Sequence, residues 1–307
     1  MRVFIGNFRS GTTLLVNLLG LHPEITPWFE TKALCEPLRW LRVLHHPETF
    51  SQEAERVRPS WIPGFTPEKV ALRMKSDFEE TILKIQGLHD SGKGSHERYP
   101  IGADCMLASL DECLEGVNDW AERLGDTPSE TDIRQATATL IRSLGAIECA
   151  RSQKPLWINK TPEIPRFGSE LRSCIGPSKM LLVIRDGRDV VKSARKLGWA
   201  SEELLSSWWK DMIVESRAAS RDCPTDYLEI RYESLVQDPV KTLDAIFAFL
   251  GISGESERLV HAYNAAISDP NAKIGRLSCG ASAPCRVKDK IQGLDQDFLV
   301  SLGYDLE

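Results

Sequence analysis

The chain has 307 residues, 42% hydrophobic and 27% charged, which is apolar material for one large α/β domain or two small ones; we read a single domain over residues 1–307. Its net charge of −6 disfavours nonspecific nucleic-acid binding, so any anion site must be built locally. No run of eighteen apolar residues is present to span a membrane, and the eight cysteines form no C-x-x-C pair, which argues against a zinc site and for reduced thiols.

The apolar run Val3-Phe4-Ile5 leads into Gly6-Asn7-Phe8-Arg9-Ser10-Gly11-Thr12-Thr13 and then the helical pattern from Leu14 to Leu19. A chain that opens on a strand leaves no room for a signal peptide, and we expect a soluble, cytoplasmic protein. A short β-type run, a glycine-bounded turn and an amphipathic helix is the order in which a parallel sheet presents a phosphate-binding loop. The spacing G-x-x-x-x-G-T-T is a Walker-type loop with threonine in place of the lysine that reaches the β- and γ-phosphates. What remains is still an anion site: glycines permit close backbone approach, N–H groups converge at a helix N-terminus, and Arg9 adds a planar, permanently charged fork. The expected ligand is a nucleotide bound through its 5′ end, without a lysine-clamped γ-phosphate.

The stretch from Phe4 to Leu15 resembles the 5′-phosphosulfate loop of sulfotransferases that use 3′-phosphoadenosine 5′-phosphosulfate (PAPS). Arginine before Ser-Gly-Thr-Thr resembles the bacterial and tyrosylprotein branches, whereas the cytosolic branch carries lysine there. The resemblance implies an α/β, P-loop-type three-layer fold with a central parallel sheet. It also implies PAPS as co-substrate, adenosine 3′,5′-bisphosphate (PAP) as product, and Arg9, Ser10, Gly11, Thr12 and Thr13 as nucleotide-binding residues.

After the first helix, Leu21-His22-Pro23-Glu24-Ile25 turns the chain back toward the sheet, and His22 reads as a helix-end group rather than a base. Thr26-Pro27-Trp28-Phe29-Glu30-Thr31-Lys32 then arrives where a second strand delivers its C-terminal end, which would face Glu30 toward the phosphate loop. Its Glu-Thr-Lys step resembles the Glu-Thr-Arg of tyrosylprotein sulfotransferases, whose glutamate is the general base. The alternatives are that Glu30 caps the following helix, or that Glu36 is the base. From His45 to about Ala150 the sequence reads as a helical insertion, broken at Pro59, Pro63-Gly64, Gly92-Lys93-Gly94, Gly125 and Pro128. Its dense charges from Glu53 to Glu80 read as a solvated face. Trp61, Phe65, Tyr99, Met106 and Trp120 are candidates either for an acceptor pocket or for core.

Leu156-Trp157-Ile158-Asn159-Lys160-Thr161-Pro162 returns to the strand-then-loop pattern and resembles the family's Lys-Thr-Pro element, which implies that Lys160 reaches the oxygen bridging sulfuryl group and phosphate. Met180 to Ile184 is an unbroken apolar run, expected of a central parallel strand. Arg185 to Arg195 follows it, with Arg188, Lys192 and Arg195 on one face of a helix starting near Arg188. That stretch resembles the 3′-phosphate element, which implies that Arg185 and Ser193 hold the 3′-phosphate. Tyr227 to Ile230 is a further strand, and Arg231-Tyr232-Glu233-Ser234-Leu235 resembles the Tyr-Glu-Asp-Leu segment, which places Tyr232 at the nucleotide. Val240 to Leu250 is an amphipathic helix stopped by Gly251. Asn271 to Arg276, within the loop 269–290, resembles the segment that closes over the nucleotide, with Lys273, Gly275 and Arg276 as its contributors. The resemblance covers 1–36 and 155–276 in order.

Sulfuryl transfer requires positioning, in-line attack and neutralisation of charge on the leaving phosphate, for which side-chain cations and backbone N–H groups suffice, so no metal is implied. The rivals are a P-loop kinase or NTPase with a degenerate Walker motif, which would want magnesium and a strand-end aspartate, and a nucleotide-binding protein without chemistry. The acidic, mixed insertion repels sulfated polysaccharides, so the expected acceptor is the hydroxyl of a small molecule. The oligomeric state is left open.

Overall fold

The computed structural model describes residues 2–49, 64–90, 106–266 and 291–305, with the side chains of 84–90 and 266 excepted. The first half of the chain forms β1 (Arg2–Gly6), α1 (Thr12–Gly20), β2 (Ile25–Phe29), α2 (Cys35–His45), α3 (Pro67–Asp90), α4 (Leu110–Leu124) and α5 (Glu130–Ser152). The second half forms β3 (Leu156–Lys160), α6 (Gly168–Ile175), β4 (Lys179–Ile184), α7 (Gly187–Arg195), α8 (Glu202–Ala219) and β5 (Tyr227–Arg231). It closes with α9 (Tyr232–Gln237), α10 (Pro239–Leu250), α11 (Ser256–Ala266) and α12 (Gln296–Ser301).

The five strands form one parallel sheet in the order β2-β3-β1-β4-β5. The first strand is therefore central, and the chain winds out to β2 on one side and to β4 and β5 on the other, which puts a topological switch point at the C-terminal end of β1. Strands buried on both faces explain the unbroken apolar runs, and the pleat sorts their side chains. Val3, Ile5, Leu181 and Val183 pack with α1, α10 and α11. Phe4, Trp28, Trp157 and Met180 pack on the other face with α2 to α6, while Leu182 and Ile184 pack there with α7, α8 and α12. The result is a three-layer α/β fold.

The helical insertion is held by capping boxes at Ser109 and Ser129, the latter directly after the break expected at Gly125 and Pro128. Trp120 is core: it packs on Trp40 and donates from Nε1 to Thr137 at 3.1 Å. Phe65 stacks on Trp40, and Met106 packs partly buried against the core; Trp61 and Tyr99 lie outside the described residues. The charged face expected from Glu53 to Glu80 is not uniformly solvated where α3 is described, because Arg73 turns inward to pair with Glu36 and Asp77 accepts the Ala33 N–H at 2.8 Å. Arg73 is drawn in by Glu36 in the first turn of α2, and Asp77 by the Ala33 N–H on the turn after β2. The described cysteines 35, 113, 149, 174 and 223 are free thiols. No described helix is long and apolar enough to cross a membrane.

Candidate active site

All five strands run the same way, so their C-terminal ends bring Glu30, Lys160, the loop after Gly6, Arg185 and Tyr232 to one edge in that spatial order. At about 4.8 Å per strand this edge spans about 19 Å.

The loop from Asn7 to Gly11 has the backbone geometry of an anion site. Among its residues φ is positive at Asn7, Arg9 and Gly11 (95°, 53° and 88°) and at no other, so handedness alternates along the loop, the condition for a nest of convergent N–H groups. Gly11 is the N-cap of α1 and offers no side-chain cap, which leaves the first N–H groups of that helix facing the loop. A Cβ on Gly11 would stand 2.3 Å from the Tyr232 ring, so glycine is demanded by space as well as by φ. The loop is tied down on both sides: the Asn7 N–H donates to Pro162 O at 2.7 Å, and Asn7 Nδ2 donates to Val183 O at 2.9 Å. Ser10 Oγ donates to Phe8 O at 3.1 Å and Thr12 Oγ1 to Asn7 O at 3.4 Å, so these hydroxyls also brace the backbone; Thr13 stands half-buried in the first turn of α1.

On the β4 side, Arg9 Nε donates to Ser193 Oγ at 2.9 Å, joining the loop to α7. The Arg9 guanidinium lies 6.0 Å from the ring centre of Trp199. Arg185 reaches Asp189 at 3.1 Å and Arg9 O at 3.4 Å, and its guanidinium sits 4.4 Å over the Tyr232 ring. Its Nε is buried without a hydrogen-bond partner, as is Asn7 Oδ1. The structure thus brings Arg9, Ser193, Arg185 and Tyr232 into one cluster. It does not assemble the expected cation stripe on α7, because Arg188 folds back as a fork on Asp186 and Arg195 lies 3.6 Å from Glu202. Asp186 draws Arg188 away by capping the same helix turn.

On the other side of β1, Lys160 is 1% exposed and its ammonium contacts the Glu30 carboxylate, whose side chain is 48% exposed. The ammonium also lies 5.3 Å from the Phe29 ring centre. The backbone reinforces the pair: the Glu30 N–H donates to Lys160 O at 2.6 Å, and Glu30 takes φ of 36°, a strained value for a side chain with a Cβ. Behind it, Asn159 Nδ2 donates to Thr31 Oγ1 at 3.1 Å, and Thr161 Oγ1 lies 2.9 Å from Asn159 Oδ1 and 3.2 Å from Thr31 O.

The alternative bases are engaged elsewhere. Glu36 is buried between Arg73 and Arg39. His22 lies before the N-terminal end of β2, at the edge opposite Glu30, and is held by Ser253 O at 3.0 Å and the Glu24 N–H at 3.1 Å. Lys273, Gly275 and Arg276, with the rest of 269–290, lie outside the described residues. Sequence reasoning missed Asp189, four residues from Arg185, and Trp199, Glu163 and Glu233, which meet Arg9, Arg39 and the Asp186 N–H across long stretches of sequence.

Glu163 anchors a buried ionic layer under the Lys160 loop. Burial alone would raise its carboxyl, yet Arg39, Lys32 and Arg166 hold it down from 4.5 to about 2. Arg39 contacts it at 2.8 Å, and Arg166 and Arg42 run on to Glu215 at 2.7 and 2.8 Å. All three guanidinium groups ring Phe167 at 4.5 to 5.5 Å.

Together these features define a P-loop-type α/β fold with an anion cradle at its central strand and an acid–amine pair beside it. The chain belongs to the sulfotransferase family, whose model matches residues 3–256. It is 24% identical over 262 residues to a Caenorhabditis briggsae protein provisionally named a protein-tyrosine sulfotransferase, covering 76% of this chain and 91% of that one. Among solved structures it is similar to the sulfotransferase domain of the Synechococcus PCC 7002 olefin synthase, with a TM-score of 0.60, 19% identity and coverage of 100% and 95% of the two chains. The sulfotransferase domain of the curacin biosynthetic pathway gives a TM-score of 0.54 at 17% identity, with 100% and 98% covered. At these identities the two structures speak for the fold.

Proposed function

We propose that residues 1–307 act as one sulfotransferase domain that takes a sulfuryl group from PAPS and passes it to a hydroxyl. The observation that carries this reading is the pairing of a buried Lys160 with Glu30 one strand from an anion cradle that lacks the Walker lysine. In this reading the N–H groups of the loop and of the first turn of α1, with Ser10, Gly11, Thr12 and Thr13, hold the 5′-phosphate. Arg185 and Ser193 take the 3′-phosphate; the orphaned Arg185 Nε is a donor suited to it. Tyr232 lies 4.4 Å under the same guanidinium and stands against the nucleotide.

The acceptor oxygen attacks sulfur in line as the bond from sulfur to the bridging oxygen breaks, and the leaving electron pair passes to the 5′-phosphate. Lys160 and Arg9 stabilise that oxygen, and Glu30 takes the acceptor proton. The charge handled is that of one leaving phosphate, which these cations meet, and no described cluster of His, Cys, Asp or Glu forms a metal-ligand group.

For the acceptor we propose a small-molecule hydroxyl. Supporting it, α3 is pinned through Asp77 to the turn just after Glu30, so the helical insertion stands beside the base. The net charge of −6 opposes a polyanionic acceptor. A second reading, a tyrosine side chain of a protein, is favoured by the name of the C. briggsae relative. Incubation with PAPS and parallel panels of small alcohols, small phenols and tyrosine peptides tests both. PAP release that tracks a small-molecule acceptor supports the first proposal and turnover of peptides alone supports the second, whereas binding of PAP with no transfer to any panel removes the catalytic reading.

A further inference from the structure

The segment 291–305 lies beyond the stretch matched by the family model, which ends at residue 256, yet it reaches the nucleotide side of the cradle. Leu299, Leu302 and Tyr304 join the same apolar cluster as Phe8 of the loop, Ile184 of β4 and Trp209 of α8. The ring of Tyr304, 3% exposed, lies 4.7 Å from the Arg231 guanidinium, and its hydroxyl donates to Glu233 Oε2 at 3.1 Å. The other carboxylate oxygen of Glu233 accepts the Asp186 N–H at 3.1 Å. Trp209 Nε1 meanwhile donates to the Arg185 carbonyl at 3.2 Å.

These contacts grip one peptide unit at both of its polar ends. The carbonyl of Arg185 and the N–H of Asp186 belong to the same plane, so Trp209 and Glu233 together fix its rotation. That rotation sets the direction of Arg185 and the entry into α7, which carries Ser193. Glu233 also follows Tyr232 directly, so a shift of its carboxylate disturbs the ring beneath Arg185.

We propose that Tyr304 is a positioning residue for the 3′-phosphate, acting through Glu233 on the Arg185–Asp186 peptide. The proposal rests on the reading of Arg185 and Ser193 as the 3′-phosphate groups. Burial, and then the neighbouring Glu233 charge, push the Tyr304 phenol well above its ordinary pKa, which keeps the donated proton in place. The relay's two hydrogen bonds, Tyr304 to Glu233 and Asp186 to Glu233, involve no residue of the 5′-phosphate loop, so its loss should be felt more at the 3′-phosphate than at the 5′-phosphate.

PAP and AMP, which differ only by the 3′-phosphate, provide the test by titration calorimetry on the full chain. Tyr304→Phe should weaken PAP about tenfold while AMP changes less than about twofold, the size expected for one hydrogen bond to a charged group. Glu233→Ala, which leaves the packing of Tyr304 in place, should give the same selective loss and serves if Tyr304→Phe folds poorly. An equal loss for both nucleotides, or no loss of PAP affinity in a folded variant, overturns the proposal. If the unmodified protein binds AMP as tightly as PAP, the 3′-phosphate reading itself fails and the positioning role falls with it.

Discussion

Lys160 is a nearly fully buried ammonium whose carboxylate neighbour stands at the rim of the site. Removing a charge from water is costly unless it is paired, so the two partners should respond differently to substitution. Glu30→Gln deprives Lys160 of a counter-charge while removing the base. Turnover should fall about 10²- to 10⁴-fold with nucleotide affinity little changed, and the melting temperature should drop. Lys160→Met keeps an unbranched side chain one atom shorter and removes the buried charge, while the Glu30 side chain stands 48% exposed; turnover should fall as well, but the melting temperature should hold or rise. Single-turnover kinetics and calorimetric scans on both variants check the pair. Full activity in Glu30→Gln would move the base to a residue outside this pair. Of the site, the positions of Arg9, Glu30, Lys160 and Arg185 were legible in the sequence because each ends or follows a recognisable strand; Asp189 and Trp199 were not, because their role comes from which guanidinium they meet.

At the scale of elements, α2, the turn after β3, and α8 are clamped together by the Arg39, Arg42, Arg166, Glu163 and Glu215 layer. The folded pKa of Glu163 lies below its unfolded value, so its stabilisation is present above about pH 4.5 and is lost as the pH falls toward about 2. Glu163→Gln should therefore destabilise the protein at neutral pH by about 3 to 5 kcal/mol, as breaking a buried pair does. The difference from the unmodified protein should shrink between pH 4.5 and pH 2. Denaturant melts at pH 7 and near pH 3 measure both numbers, and a gap that does not narrow would show that the layer is not held by the Glu163 charge. The strands, and the break between α4 and α5, were readable from apolar runs, glycine and proline. The inward turn of Arg73 and Asp77 was not, since a charged helix face gives the same pattern whether its partners are water or a buried glutamate and a backbone N–H.

For the whole molecule, ligand binding to the folded state alone should raise stability by mass action, by about 2.7 kcal/mol at a PAP concentration a hundred times its dissociation constant. For a chain of this size that corresponds to a rise of roughly 4 °C in melting temperature. The rise should need no magnesium, and ATP should give less because it lacks the 3′-phosphate. A larger, magnesium-dependent shift with ATP would favour the kinase rival. The sequence by itself determined the α/β class, the glycine-bounded turn between β1 and α1 and the residues at the strand ends, because strand periodicity, glycine spacing and strand-end chemistry are local properties of the chain. Only the tertiary structure decided that β1 is central, that Glu30 meets Lys160, that Arg188 is withdrawn by Asp186, and that Tyr304 reaches the Arg185 peptide from the far end of the chain. Those outcomes depend on which strands become neighbours and which charges are buried together; Glu30 and Lys160, or Tyr304 and the Arg185 peptide, stand more than a hundred positions apart, and even the nearby Asp186 and Arg188 read alike whether they pair with each other or with a ligand.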